Sequence, residues 1–223
     1  SPEKLKLLQA RGIVMWLTGR LEDACKSLTK AATYVSTNPD KGDVPEALTL
    51  LGDVLRDMGD FEQALELYER SKKLHAAKAL SAAPSPTAGT PTTNSAPTAR
   101  AAVQAKIAAA DGVYKSGLCL ASLGRFREAK SAFEDCLATR KELLGDAHAS
   151  VADALFALGQ LCAERGLFTE AVPLFEETVA IRRGDAVVNP KAYADAHFAL
   201  GCAYRPTDTS KALENLNQAH SVR

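Results

Sequence analysis

Apolar residues in this chain recur at helical spacing. Val113, Gly117 and Leu120 fall on one helix face, and so do Leu155, Leu158, Gly159 and Cys162. A second apolar stripe follows each of them, Ala129, Phe133 and Leu137 in one case and Ala171, Leu174, Phe175 and Thr178 in the other. Between the stripes stand Leu123-Gly124-Arg125 and Arg165-Gly166-Leu167, where glycine supplies the left-handed backbone that closes a helix. The pattern predicts helix pairs joined by tight turns. Glycine or alanine at the seam of a pair lets two backbones approach closely, and an aromatic just past the turn (Phe61, Phe126, Phe168) covers the junction.

The stretch from Gly117 to Thr178 says one thing twice. Gly117, Ala129 and Phe133 recur as Gly159, Ala171 and Phe175, each 42 residues later. A fixed period of this size is the signature of stacked repeats, each unit burying its face against the next. The same template fits around Gly12, Gly52 and Gly201, so successive seam glycines lie 40, 65, 42 and 42 residues apart. The long interval carries an insertion. Residues 81–99 hold four prolines and neither charge nor large apolar side chain, so they read as a flexible loop that cannot bury enough surface to order itself. Helices are predicted on either side, at about 61–79 and 100–122. The organisation is therefore two repeats in 1–80, the insert, and three repeats in 100–223. Ser85-Pro86 and Thr90-Pro91 in the insert are candidate proline-directed phosphorylation sites, with plain spacer as the simpler reading. Asn189-Pro190 and Asp43-Val44-Pro45 read as helix starts.

Charge and composition narrow the function. Acidic and basic residues balance at 27 each, so no net field points to nucleic acid or an anionic membrane, and no apolar run is long enough to span a bilayer. The start, Ser1-Pro2-Glu3-Lys4, has no signal-peptide pattern. Five cysteines sit widely spaced inside helical patterns, without a Cys-x-x-Cys or a histidine at ligand spacing; small buried thiols in a reducing compartment are expected. No nucleophile motif, phosphate loop or metal-ligand pattern occurs, so no catalytic, cofactor-binding or metal residues are assigned and the chain is read as non-enzymatic.

The Leu-Gly, Gly-x-Phe, Glu-Ala and Phe elements resemble the tetratricopeptide repeat. The longer unit, with Gly145, His148, Val151 and Ala152 in its link, is similar to the repeats of kinesin light chains and nephrocystin-like proteins, although Ala149 stands where that link has proline. The resemblance implies an all-α, right-handed superhelical solenoid of about five helix-turn-helix repeats, with His148 structural. It also implies a concave wall lined by the first helix of each unit. Positions beside the seam glycines then give Gln9, Ile13 and Trp16; Glu46, Thr49, Asp53 and Arg56; Asp111, Tyr114 and Leu118; Asp153, Phe156 and Gln160; and Asp195, Phe198, Cys202 and Arg205. Tyr114, Phe156 and Phe198 form an aromatic ladder beside the acids Glu46, Asp111, Asp153 and Asp195. Such a wall suits a peptide with apolar anchors and Lys or Arg. Alternatively, the acids complement helix N-termini and the rings pack against neighbouring helices.

The expected partners are other proteins, as peptide segments or neighbouring subunits in a hetero-complex, with no nucleic acid or membrane. Two roles fit: a structural component of a large cytoskeletal or ciliary (axonemal) assembly, or a cargo adaptor of the kinesin light chain type. Alanine richness and the Ala/Pro/Ser/Thr insert favour the first, with a cytoplasmic location extending to the cilium. Because Glu3-Lys4-Leu5 enters in mid-pattern, the chain is expected to be part of a longer solenoid.

Overall fold

The computed structural model describes residues 2–37, 44–82 and 95–222. Among them are ten helices and no strand: α1 (Pro2–Leu17), α2 (Leu21–Thr37), α3 (Val44–Met58), α4 (Phe61–Ala82), α5 (Ser95–Ser122), α6 (Phe126–Leu144), α7 (Ala149–Glu164), α8 (Phe168–Gly184), α9 (Pro190–Tyr204) and α10 (Thr209–Val222). They form two compact units, Ser1–Arg125 and Phe126–Arg223. In the first, each of α1 to α5 packs on the next; in the second, α6 to α10 do the same.

The turns follow their glycines. Gly19, Gly59, Gly124 and Gly166 all have φ between 72° and 89°. At Gly166 the amide donates to the Ala163 carbonyl and the Leu167 amide to that of Cys162, which satisfies two carbonyls the ended helix would leave open. His148 caps α7, its Nδ1 accepting from the Ser150 amide at 3.1 Å, so the family-type histidine is structural. Asn189 caps α9 by accepting from the Ala192 amide at 3.3 Å, with Pro190 in the first turn. The acids Asp40 and Asp43, and both Ser/Thr-Pro pairs of the insert, lie outside the described residues.

Seam glycines set the packing distance. A Cβ on Gly12 would sit 2.6 Å from Leu28, on Gly52 2.7 Å from Tyr68, on Gly159 2.7 Å from Phe175, and on Gly201 2.8 Å from Leu216. Each large partner is fifteen or sixteen residues downstream on the second helix of the same pair. Tyr68 and Phe175 are wholly buried there, and each such side chain stabilises by about 1.5–3 kcal/mol through the area it removes from water.

Two expectations need correction. The insert read as loop over 81–99 is helical at both edges, since α4 continues to Ala82 and α5 begins at Ser95. Alanines at 82 and 99 favour helix, and Pro97 falls in the first turn, where its missing N–H has no intrahelical partner to lose. The cysteines are all free, but only Cys119, Cys136 and Cys162 are buried; Cys25 and Cys202 are half-exposed.

Gly159→Ala forces its methyl into the Phe175 ring and is expected to cost about 1–3 kcal/mol. Gly184→Ala, at a helix end with nothing near its Cβ, is expected to be neutral or to stabilise slightly. Urea midpoints of the two variants check this; equal midpoints would remove the close-approach account.

Candidate functional site

In the second unit α7 and α9, both first helices of their pairs, stand side by side above α8. Phe156 and Gln160 of α7 and Asp195 and Phe198 of α9 line a single open cleft of about 430 Å³. Its remaining wall is largely apolar, from Ala163, Phe168, Phe175, Ala199, Cys202 and Ala203, with Glu164 at the edge. Phe198 is 49% exposed despite its size. The Phe175 ring lies at the floor, 5.6 Å from Phe156 in a tilted contact. A pocket of apolar side chains with a few carboxylates and one amide is suited to taking an aliphatic or aromatic anchor beside a cationic group.

Arg182 of α8 shapes one side of this wall. Its guanidinium lies 4.7 Å over the Phe156 ring, donates at 3.0 Å to Asp153 and at 2.9 Å to the Ala192 carbonyl. The structure thus corrects the picture of an open acidic column at Asp153, because an arginine from the second helix engages that carboxylate. Phe156 is likewise held between Phe175 and Arg182 and is partly a packing residue, whereas Phe198 stands out into solvent.

The first unit uses its wall residues differently. Asp53 is buried at 6% exposure and accepts from the Tyr68 hydroxyl at 2.7 Å and from Lys115 of α5 at 2.6 Å. Arg56 lies 3.7 Å from Asp53 and 3.0 Å from Asp57, and the Trp16 indole donates to Asp57 at 2.8 Å. Asp53 and Arg56 therefore tie α3 to α4 and α5 and do not face an incoming peptide. Thr49 also turns inward, donating to the Pro45 carbonyl and meeting Ser71 at 2.8 Å. Asp111 and Tyr114 are half-buried on α5.

Burial, and then the adjacent Asp53 charge, push the Tyr68 phenol well above its ordinary range. The hydrogen bond to Glu176, aided by burial, raises Tyr204 to about 12. Burial lifts the Cys119 thiol to about 11, which leaves it a poor nucleophile. Among the described residues no group of three or more His, Cys, Asp or Glu could hold a metal ion, and no helix is long and apolar enough to cross a membrane.

Sequence reasoning missed Arg182 and Lys115. A signal for the first was present, because Arg140 stands 42 residues earlier and donates to the Ser150 carbonyl at 2.6 Å, itself 42 before Ala192. Lys115 had no such repeat partner.

Stacked helix hairpins, with an apolar and partly acidic cleft between first helices, define an α-helical repeat module for binding other proteins. The tetratricopeptide repeat profile matches residues 5–76 and 107–184, and the chain belongs to that family. No curated protein matches it. Among solved structures it is similar to BtubC (BKLC) from P. vanneervenii, with TM-score 0.77 and 19% identity over 98% of this chain and 79% of that one. It is also similar to the nearly identical TPR-like repeats of a kinesin light chain-type protein of Podosopora anserina, with TM-score 0.71 and 18% identity over 100% and 96% of the two chains. A Rap protein complexed with Competence and Sporulation Factor matches at TM-score 0.68 and 15% identity, over 100% of this chain and 54% of that one. At these identities the likeness is one of fold.

A tyrosine that keeps its proton in the folded state makes the unfolded state the first to ionise as pH rises past 10.0. The stability from Tyr68 is therefore full below that value and is lost above it, at up to about 1.4 kcal/mol per pH unit. Tyr68→Phe is expected to cost about 1–3 kcal/mol at neutral pH and to flatten the alkaline limb. Urea melts from neutral pH to about 11 measure both effects, and an unchanged limb would rule out the phenol as its source.

Proposed function

We propose that this protein–protein interaction scaffold captures a peptide segment in the cleft between α7 and α9, seating an apolar anchor against Phe198 and Phe156 beside a lysine or arginine. The observation that carries the reading is a half-exposed aromatic, Phe198, at a cleft whose edge holds Glu164 and Asp195. A large ring left in water at a concave site is the kind of residue that carries binding energy once covered. Asp195 and Glu164 favour a cationic neighbour and disfavour an acidic one, giving specificity beyond the anchor.

The sequence had also suggested a fixed place in a cytoskeletal or ciliary assembly. That idea rests on composition alone, and the cleft supports reversible capture, as an adaptor of the kinesin light chain type requires.

Selection from a display library of random peptides is expected to enrich an aromatic or branched aliphatic residue next to Lys or Arg. Phe198→Ala should weaken the enriched peptide about 10- to 30-fold, as a truncated hot spot does, with unchanged helicity by circular dichroism. Glu164→Lys together with Asp195→Lys should abolish the basic preference. No enrichment, or unaltered binding by both variants, would refute the cleft as a peptide site.

A further inference from the structure

Helices α4 and α5, with 22 and 28 residues, are longer than the others. Ser71 donates to the Pro45 carbonyl at 2.9 Å, which fixes the first turn of α3 at the level of Ser71. From there α4 runs on to Ala82, about 16 Å further at helical rise. Gly112 of α5 lies against Tyr68 and Lys72, so antiparallel pairing brings the residues near 102 level with Leu80. Past the start of α3, burial shrinks to His75 and Ala79 on α4 and Ala105 on α5. The two helices form a projecting arm held together by a thin alanine seam.

The arm concentrates one sign of charge. Residues 70–110 contain six Lys and Arg and no Asp or Glu, in a chain whose totals balance. Lys72 pairs with Glu69 at the foot of the arm, at 3.3 Å. Arg70, Lys73, Lys78, Arg100 and Lys106 are exposed. Aliphatic side chains stand among them, Leu80 at 78% and Val103 at 42% exposure. Arg70, Lys73, Ala77 and Leu80 share one face of α4 by their spacing, opposite the buried Ser71, His75 and Ala79.

We propose that the α4–α5 arm docks an acidic polypeptide segment, its carboxylates meeting the arm's cations and an aliphatic side chain resting on Leu80 and Val103. Charge complementarity selects an anionic partner. The chemistry of the arm then selects polypeptide among anions. Residues 70–110 contain no Phe, Tyr or Trp, so bases find no ring to stack on. The same lack leaves no aromatic anchor for a bilayer interface. Carboxylates on a chain need only the cations and a small apolar contact, and the arm offers both.

The test uses the full chain and fluorescently labelled poly-L-glutamate, with binding read by anisotropy. The expected result is binding that weakens about tenfold or more as salt rises from low to physiological strength and beyond, since exposed charges are screened. Converting Lys73, Lys78, Arg100 and Lys106 together to Glu should abolish it. A matched set with the same total charge change, Lys26, Arg127, Arg183 and Lys191 to Glu, should bind almost as the parent does, and circular dichroism confirms that both sets fold. Equal loss in the two sets would overturn the proposal, since net charge alone would then explain the binding. So would tighter binding of duplex DNA or phosphatidylserine vesicles than of poly-L-glutamate.

Discussion

The structure depends on a distance of closest approach. In four of the helix pairs a glycine faces a large side chain fifteen or sixteen residues on, with no room for a methyl group between them. That clearance lets Leu28, Tyr68 or Phe175 fill the space a backbone would otherwise leave empty, at the close packing characteristic of protein interiors. Everything else is arranged around this contact. The turn glycines return the chain in register, and the alanines that follow allow the next helix to lie close. Repetition of one contact yields a fold whose units are stabilised by their neighbours and not by a single central core.

The same scaffold carries two different surfaces. In the first unit Asp53, Lys115, Arg56 and Asp57 satisfy one another, so charged wall residues serve cohesion between helices. In the second unit Arg182 covers only part of the wall, and Phe198 and its neighbours remain open. Aligned repeat positions therefore have unequal duties. Asp53 and Gln160 each follow a seam glycine, yet one is buried beneath a tyrosine hydroxyl and the other lines a cleft.

Much of the fold could be read from residues alone. The seam glycines, the turn glycines and the caps at His148 and Asn189 act locally, through backbone geometry that a short window of sequence determines. The cleft was legible in part: Phe156, Gln160, Asp195 and Phe198 do come together, because their spacing relative to Gly159 and Gly201 sets their face. What escaped was pairing between distant positions. Lys115 reaches Asp53 across 62 residues, and Tyr68 reaches it only because its ring is long enough to pass Gly52. The reach of a side chain from the second helix leaves no trace in the periodicity of the first. Alanine misled in the opposite sense, since a segment that looked too weak to order at 95–99 extends a helix already packed on its neighbour.

The arginines that cross the links have a consequence for how such a chain can change over generations. Arg140 and Arg182 lie seven residues after Phe133 and Phe175, and each grips a carbonyl in the first turn of the next helix. A guanidinium has a fixed reach, so any link it spans is held to nearly constant length, and an inserted residue there would break the grip. Seven residues after Tyr68 the chain has His75, whose side chain is shorter than an arginine's. The connection that follows is the one that has grown long. Evolution can lengthen this repeat array where no such staple crosses the link, and that freedom is what allowed a basic arm to emerge from an otherwise regular stack.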